Sequence, residues 1–247
     1  MKTSDNTVLI TGAASGIGLE IARLFSGTNN KVIMVDRSAK QLEMEAAKLD
    51  NAVAIAADLA DEDELSKLIQ KLKLNHSELN VAILNAAAAY NHTLYTTEFD
   101  LEYVRSEINT NYLANVRLTY ALEPMLAKNE EAAMVITTSG LAYVPNLDYP
   151  TYSVTKAALH SFVLASRLQL QRNGSKVKLF ELMPPLVDTP LAKALNAPKI
   201  TAAEVASAFM KCFAGNELEI KVGDTERIYQ LFLKSPQEAL MAVNGGQ

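Results

Sequence analysis

The sequence predicts an α/β fold, a single doubly wound parallel sheet with helices on both faces. Two observations carry this. Short, continuously apolar runs alternate with segments of helical period almost from the first residue, as strands buried on both faces do when crossover helices join them. The first apolar run also ends in a cluster of glycines that opens the first helix.

The elements follow in order. Thr7-Val8-Leu9-Ile10 is a strand ended by Thr11-Gly12, and Ile17, Ile21, Leu24 and Phe25 give the helical spacing that comes after it. Lys31 to Val35 is the second strand, Ser38 a candidate N-cap, and Leu42 to Leu49 a helix. The unit repeats with a strand Val53–Ala56 and helix Asp61–Leu74, then a strand Val81–Leu84 and a long helix from about Glu98 to Lys128. Met134 to Thr137 precedes a helix from about Thr151 to Arg172, and Lys176 to Leu182 adds another strand. Beyond Pro198 the pattern gives a helix Ala202–Ala214, a strand Glu219–Val222 and a tail to which no element is assigned. No linker or composition break divides residues 1–247, so they are expected to form one domain.

Composition narrows the function. A net charge of -5 and no clustered basic run argue against a nucleic-acid partner. No stretch approaches the ~20 apolar residues of a membrane span, and Met1 to Thr7 is not a signal peptide. The single thiol, Cys212, forms no internal disulfide and is read as a small core residue. A cytoplasmic protein is expected. His76, His92 and His160 lack metal-ligand spacing, and His160 is read as a surface residue. The acidic run 61–64 is read as a helix opening that complements the dipole. No metal site is expected.

Thr11 to Gly18 carries glycines in a G-x-x-x-G-x-G spacing, where the backbone must turn tightly and approach a pyrophosphate at a helix N-terminus. Gly12, Ser15, Gly16, Ile17 and Gly18 are therefore candidate cofactor contacts. Asp36, at the end of the second strand, suits the ribose hydroxyls of NAD. It should repel the 2′-phosphate of NADP, at about 4 kcal/mol for like charges ~4 Å apart at an effective dielectric of ~20. Arg37 leaves alternatives open: pairing with a 2′-phosphate, lying over the adenine, or a solvated loop charge. NAD is the expected cofactor, with NADP second.

Of nine tyrosines only Tyr152 has a lysine four residues later, Lys156, on an expected helix. That spacing sets the ammonium near the phenol, where it would favour the phenolate. Ser139, at the end of the fifth strand, is placed to hold a substrate oxygen beside Tyr152.

Thr11 to Gly18, Asp36, Asp58, Asn85-Ala86, Asn111, Ser139, Tyr152/Lys156 and Pro184 to Thr189 together resemble the short-chain dehydrogenase/reductase family of Rossmann-like proteins, in order and spacing from about residue 7 to 190. The resemblance implies Tyr152 as general acid/base. It implies Lys156 as the residue that lowers the tyrosine pKa and binds the nicotinamide ribose, and Ser139 as the group orienting the reacting oxygen. Asn111 would anchor a water of the proton relay. Asp58 and Leu59 would contact the adenine, Asn85 and Ala86 would pass under the ribose, and Pro184, Val187 and Thr189 would flank the nicotinamide. The usual Asn-Asn-Ala-Gly reads Leu84-Asn85-Ala86-Ala87, Pro184-Pro185 replaces Pro-Gly, and the usual closing strand and Gly-Gly ending are hard to find after Gly215. Pro184 to Thr189 and the tail resemble a bacterial branch named for D-alanylation operons.

The expected function is hydride transfer between NAD and a small, partly apolar secondary alcohol or carbonyl. The alternatives are a dinucleotide-sensing interaction protein without turnover, and a lyase or epimerase on the same scaffold. Apolar residues all round the Tyr152 helix (Val154, Ala158, Phe162, Ala165 and Leu168, with Leu159, Val163 and Leu164) imply a homodimer or homotetramer.

Overall fold

The computed structural model describes residues 1–95, 100–193 and 195–245. Glu98, the expected start of the long fourth helix, lies outside them, as do Ala194 of the segment after β6 and the last two residues of the tail. Nine strands and nine α-helices alternate among the described residues. They are β1 (Thr7–Thr11), α1 (Gly16–Ser26), β2 (Lys31–Asp36), α2 (Ala39–Ala46), β3 (Ala52–Ala56), α3 (Glu62–Asn75), β4 (Val81–Leu84), α4 (Leu101–Glu107) and α5 (Ala114–Leu126). There follow β5 (Ala132–Thr137), α6 (Pro150–Arg172), β6 (Val177–Met183), β7 (Val187–Asp188), β8 (Ile200–Thr201), α7 (Ala202–Gly215), β9 (Glu219–Lys221), α8 (Asp224–Lys234) and α9 (Pro236–Val243).

Seven strands form one parallel sheet in the order β3-β2-β1-β4-β5-β6-β9, while β7 and β8 pair separately. Strand order reverses between β1 and β4, the place where such sheets bind ligands beyond the carboxyl ends of their strands. The period-two geometry of a strand splits each apolar run between two cores. Val8, Ile10, Val32, Met34, Ile83, Val135 and Phe180 pack with α1 and α7 on one face. Leu9, Ile33, Ala82, Met134 and Leu179 pack with α3, α5 and α6 on the other. Burying each large apolar side chain in these layers contributes about 1.5–3 kcal/mol, which is why strands hydrophobic on both sides settle here.

The structure corrects the sequence reading at four places. The long helix is interrupted by a π-helical turn, Ile108–Leu113, between α4 and α5. There the Asn115 amide donates to the carbonyls of Thr110 (3.3 Å) and Asn111 (2.8 Å), a side chain inserted into the helical ladder. Helix α2 starts three residues earlier than Leu42; Ser38 stands at its N-cap as expected, without a side-chain capping bond, and its own N–H donates to Asp36 Oδ1 at 2.9 Å. The strand expected at Glu219–Val222 is β9, and its pairing with β6 makes it the closing strand that the family pattern had left hard to find. The tail folds into α8 and α9, which bury Ile228 and Ala239 against Val144 and the partly buried Tyr143. Asp61 caps α3 by accepting from the N–H groups of Asp63 and Glu64, as the acidic run suggested.

Candidate active site

The glycine loop is shaped by close contact. Gly12 (φ +67°) and Gly16 (φ +56°) occupy the left-handed region that favours glycine. A β-carbon on Gly12 would lie 2.9 Å from Ala86 Cα, and one on Gly18 would lie 2.2 Å from the Gly12 carbonyl oxygen. At Gly16 the clash would be with Thr189 Cγ2, 2.9 Å away, so the segment after β6 reaches back to the loop. Thr11 Oγ1 accepts from the N–H groups of Asn85 (2.9 Å) and Ala86 (3.1 Å), while the Asn85 amide donates to Thr11 O (3.2 Å). Ser15 stands at the N-cap of α1 without a side-chain capping bond, and Ile17 is partly buried beside it.

A cleft opens beside this loop, lined by Gly12, Asp36, Arg37, Ala57, Asp58, Leu59, Ala86, Ala87 and Thr110. Asp36 Oδ2 accepts from Ala14 N–H at 3.2 Å, so its carboxylate joins the loop to the end of β2. Arg37 is exposed, and Leu59 is buried. Thr110 and Ala87, on the cleft wall, were not singled out as contacts from the sequence; Thr110 is brought there by the π turn. Two carboxylates able to accept from ribose hydroxyls, an apolar wall and a glycine bend form a set of groups that fits the adenosine half of a nicotinamide dinucleotide.

The other end of the site lies beyond β5 and on α6. Ser139 follows β5, and its Oγ accepts from Leu141 N–H at 3.1 Å. Lys156 sits 1% exposed, with Nζ donating to Thr137 O at 2.8 Å and lying 5.4 Å from the Tyr152 ring centroid. Burial pushes the ammonium down to about 7, against the opposing pull of Glu181. Lys156 is not among the groups that shift the phenol in this structure. Burial raises Tyr152 well above the ordinary phenol range, the Ser139 hydroxyl works in the opposite sense, and the Glu107 charge adds to the rise.

Asn111, fully buried in the π turn, is a clamp. Its Oδ1 accepts from Ala88 N–H (2.8 Å), and its Nδ2 donates to Ala88 O (2.8 Å) and Thr155 Oγ1 (3.0 Å). Both side-chain N–H groups of Asn111 are thus engaged within the protein. Pro184 O accepts from Gly140 N–H at 3.2 Å, tying the segment after β6 to the turn that follows Ser139, while Val187 is buried in β7.

Two buried carboxylates escaped the sequence reading. Glu107 ends α4 with no exposure, accepting from Tyr90 N–H at 2.8 Å and from the Thr151 hydroxyl next to Tyr152. Glu181 on β6 is also fully buried and binds His160, which corrects the surface reading of that histidine. Neither spacing nor period marks a lone glutamate; the one available signal was its position inside an apolar run, Leu179-Phe180-Glu181-Leu182. No group of three or more metal-ligating side chains occurs among the described residues.

With this geometry in place, comparison with known proteins is informative. The family model described as short chain dehydrogenase matches residues 6–200. The uncharacterized oxidoreductase DltE of Bacillus subtilis is 39% identical over 191 residues, 77% of this chain and 75% of its own. The fold is similar to that of a short chain dehydrogenase from Burkholderia cenocepacia crystallised with NADP, with a TM-score of 0.87 at 20% identity over 98% of this chain and 99% of that one. It is also similar to a short chain dehydrogenase/reductase from Burkholderia phymatum crystallised with NAD, with a TM-score of 0.85 at 18% identity over 99% and 97%.

Proposed function

The chain belongs to the short chain dehydrogenase family, and on that premise we propose that it interconverts a secondary alcohol and its carbonyl, with NAD as the preferred cofactor. The single observation that carries the reading is the convergence of Ser139, Tyr152 and the buried Lys156 at the carboxyl end of β5, joined to the glycine loop by the segment after β6, which meets Gly140 through Pro184 O and Gly16 through Thr189. A bound nicotinamide supplies the hydride chemistry. Tyr152 handles the proton: as the phenol it gives its proton to a carbonyl oxygen during reduction and is left as the phenolate, and as the phenolate it takes the proton of the hydroxyl during oxidation. Ser139 holds the same substrate oxygen. Lys156 orients the phenol from its own helix and binds the ribose, and Asn111 fixes the segment under the cofactor. The carboxylates of Asp36 and Asp58 on the cleft wall favour ribose hydroxyls over a 2′-phosphate.

Screening secondary alcohols with NAD and carbonyls with NADH, followed by nicotinamide absorbance, tests this reading. Tyr152→Phe keeps the ring and removes the transferable proton, so turnover should fall 10²–10⁴-fold. NAD binding with no turnover of any compound would favour the silent sensor instead, and a Tyr152→Phe enzyme at half activity would sink the assigned role.

Part of the apolar surface of α6 is unused within the chain. Leu159 and Val163 face the sheet, whereas Val154 (64%), Leu164 (44%) and Leu168 (49%) are exposed, along with Tyr120 (74%) on α5. We read this face as the one through which copies pair into a homodimer or tetramer; a 26.9 kDa particle in light scattering at micromolar concentration would refute it. No helix among the described residues is long and apolar enough to cross a membrane, and a cytoplasmic site of action is part of the proposal, tested by fractionation of cells that express the protein.

A further inference from the structure

A buried ammonium is costly unless an opposing charge lies near it. Lys156 is such a group, and its bond to Thr137 O offers it a dipole and no charge. The backbone that accepts this bond continues into Thr138, whose hydroxyl donates to Glu181 Oε1 at 2.6 Å. His160, one helical turn beyond Lys156 on α6, donates from Nδ1 to both Glu181 oxygens, at 2.9 and 3.1 Å. Lys156 and Glu181 thus hold the same short stretch of backbone, Thr137-Thr138, and Ser139 is the next residue along. In the parallel register Glu181 lies beside Ile136, one position before Thr137.

We propose that Glu181 is a positioning residue of the active site: the buried counter-charge that keeps Lys156 in its ammonium form, itself aimed by Thr138 and His160. This deepens the dehydrogenase reading and rests on it for the importance of Lys156. The carboxylate is fully buried and so, but for 1% of its surface, is Lys156, so the attraction between them is weakly screened. Its sign agrees with the opposition between burial and the Glu181 charge on the lysine.

The surrounding titratable groups leave this role to Glu181. On α6 itself Lys156 has Tyr152 and His160 for neighbours, neither of them an anion at neutral pH. From the turn after Ser139, Tyr143 packs edge-on to His160 with ring centroids 4.9 Å apart, and its phenol is pushed up, first by burial and then by the Glu181 charge. Glu219 on β9 lies beside Glu181 in register, but it is bound by Arg167 (3.1 Å) and Lys221 (3.1 Å). Glu107 on α4 acts on Tyr152 and is bound by Thr151 and Tyr90.

Glu181→Gln separates charge from shape, because the amide oxygen still accepts from Thr138. With 13Cε-labelled lysine, the Lys156 signal is identified by its loss in Lys156→Met and followed across pH by NMR, with no cofactor or substrate present. The Lys156 midpoint should fall by at least about one pH unit in Glu181→Gln. Glu181→Asp, which keeps the charge on a shorter stem, should fall by less and provides the test alone if the Gln variant does not fold. An unchanged midpoint in Glu181→Gln, or an Asp variant that shifts as far as the Gln one, would overturn the proposal; if only Asp folds, so would a midpoint equal to the wild type. Because the titration needs no turnover, a protein inactive on every alcohol would count against the dehydrogenase reading and leave this result standing.

Discussion

At the β1–β4 end of the sheet the site is shaped by close backbone contact, whereas at the β5–β6 end it is shaped by buried charge. Around Gly12 and Gly18 the chain approaches itself so closely that no β-carbon fits, and the polar groups are backbone amides, Thr11, Asn85 and the partly exposed Asp36. Around Lys156 the side chains are large, the ionisable groups are out of water, and each needs a partner from another element. The first arrangement fits a cofactor with little electrostatic cost. The second stores unfavourable free energy beside Tyr152 and Ser139, which the rest of the fold must offset.

The sharpest way to break the contact-built end is Gly18→Ala. Its new methyl would sit 2.2 Å from Gly12 O and 2.8 Å from Asn85 Nδ2, and the nearer atom belongs to backbone. The loop must open, and NAD affinity should drop at least about a hundredfold, roughly 2.7 kcal/mol, while the sheet, anchored in both cores, keeps its circular dichroism. Calorimetric titration measures this; wild-type affinity in the variant would show that the loop has room the structure denies it.

The charge-built end should respond in the opposite direction when simplified. Folding lowers Lys156 from 10.5 to about 7, so protons leave the lysine on folding between those values and stability rises with pH across that window. Below pH 7 the buried ammonium carries its full cost, on the order of 5 kcal/mol at ~1.4 kcal/mol per pH unit. Lys156→Met removes that cost and loses the Thr137 bond, worth about 1.5–3 kcal/mol. The variant should be inactive and yet more stable by about 2 kcal/mol at pH 6, with the gain gone by pH 10.5. Urea unfolding at both pH values checks it, and a variant less stable at pH 6 would mean that Lys156 is well compensated in the fold.

The same contrast explains what was legible in the sequence. Strands, crossover helices and the glycine loop announce themselves through local rules: apolar runs, period, and residues that alone permit a conformation. Tyr152, Lys156 and Ser139 were legible as a pattern of types and spacings. Their electrostatics were not, because burial of Tyr152 and Lys156, and the charges of Glu107 and Glu181, are set by elements distant in sequence. The π turn escaped for a similar reason: helical period continues through it, and it is marked only by the Asn115 side chain entering the ladder. Helix α8 does carry a helical spacing, Ile228, Leu231 and Phe232, which the sequence reading passed over; what only the fold supplies is the partner of these residues, the Tyr143–Val144 turn.

Asp36 is where the two kinds of construction meet, a charge placed by backbone contact, and its removal should give the smallest effect. Its oxygens accept from Ala14 N–H and Ser38 N–H, which hold the carboxylate on the cleft wall. Two unit charges ~4 Å apart repel by about 4 kcal/mol at an effective dielectric of ~20, but the cleft is open to water and salt, which reduces the difference toward ~1.4 kcal/mol, or tenfold. Asp36→Asn removes the charge and retains an oxygen able to accept from the loop. Asp36→Ala removes the charge and the tether together. Both should narrow the ratio of NAD to NADP affinity by about tenfold, whereas NAD affinity itself should fall further in Ala than in Asn. Parallel titrations of the two cofactors separate these effects. If the ratio stays at its wild-type value in both variants, the preference does not arise from Asp36, and Asp58 on the same wall is the next carboxylate to replace.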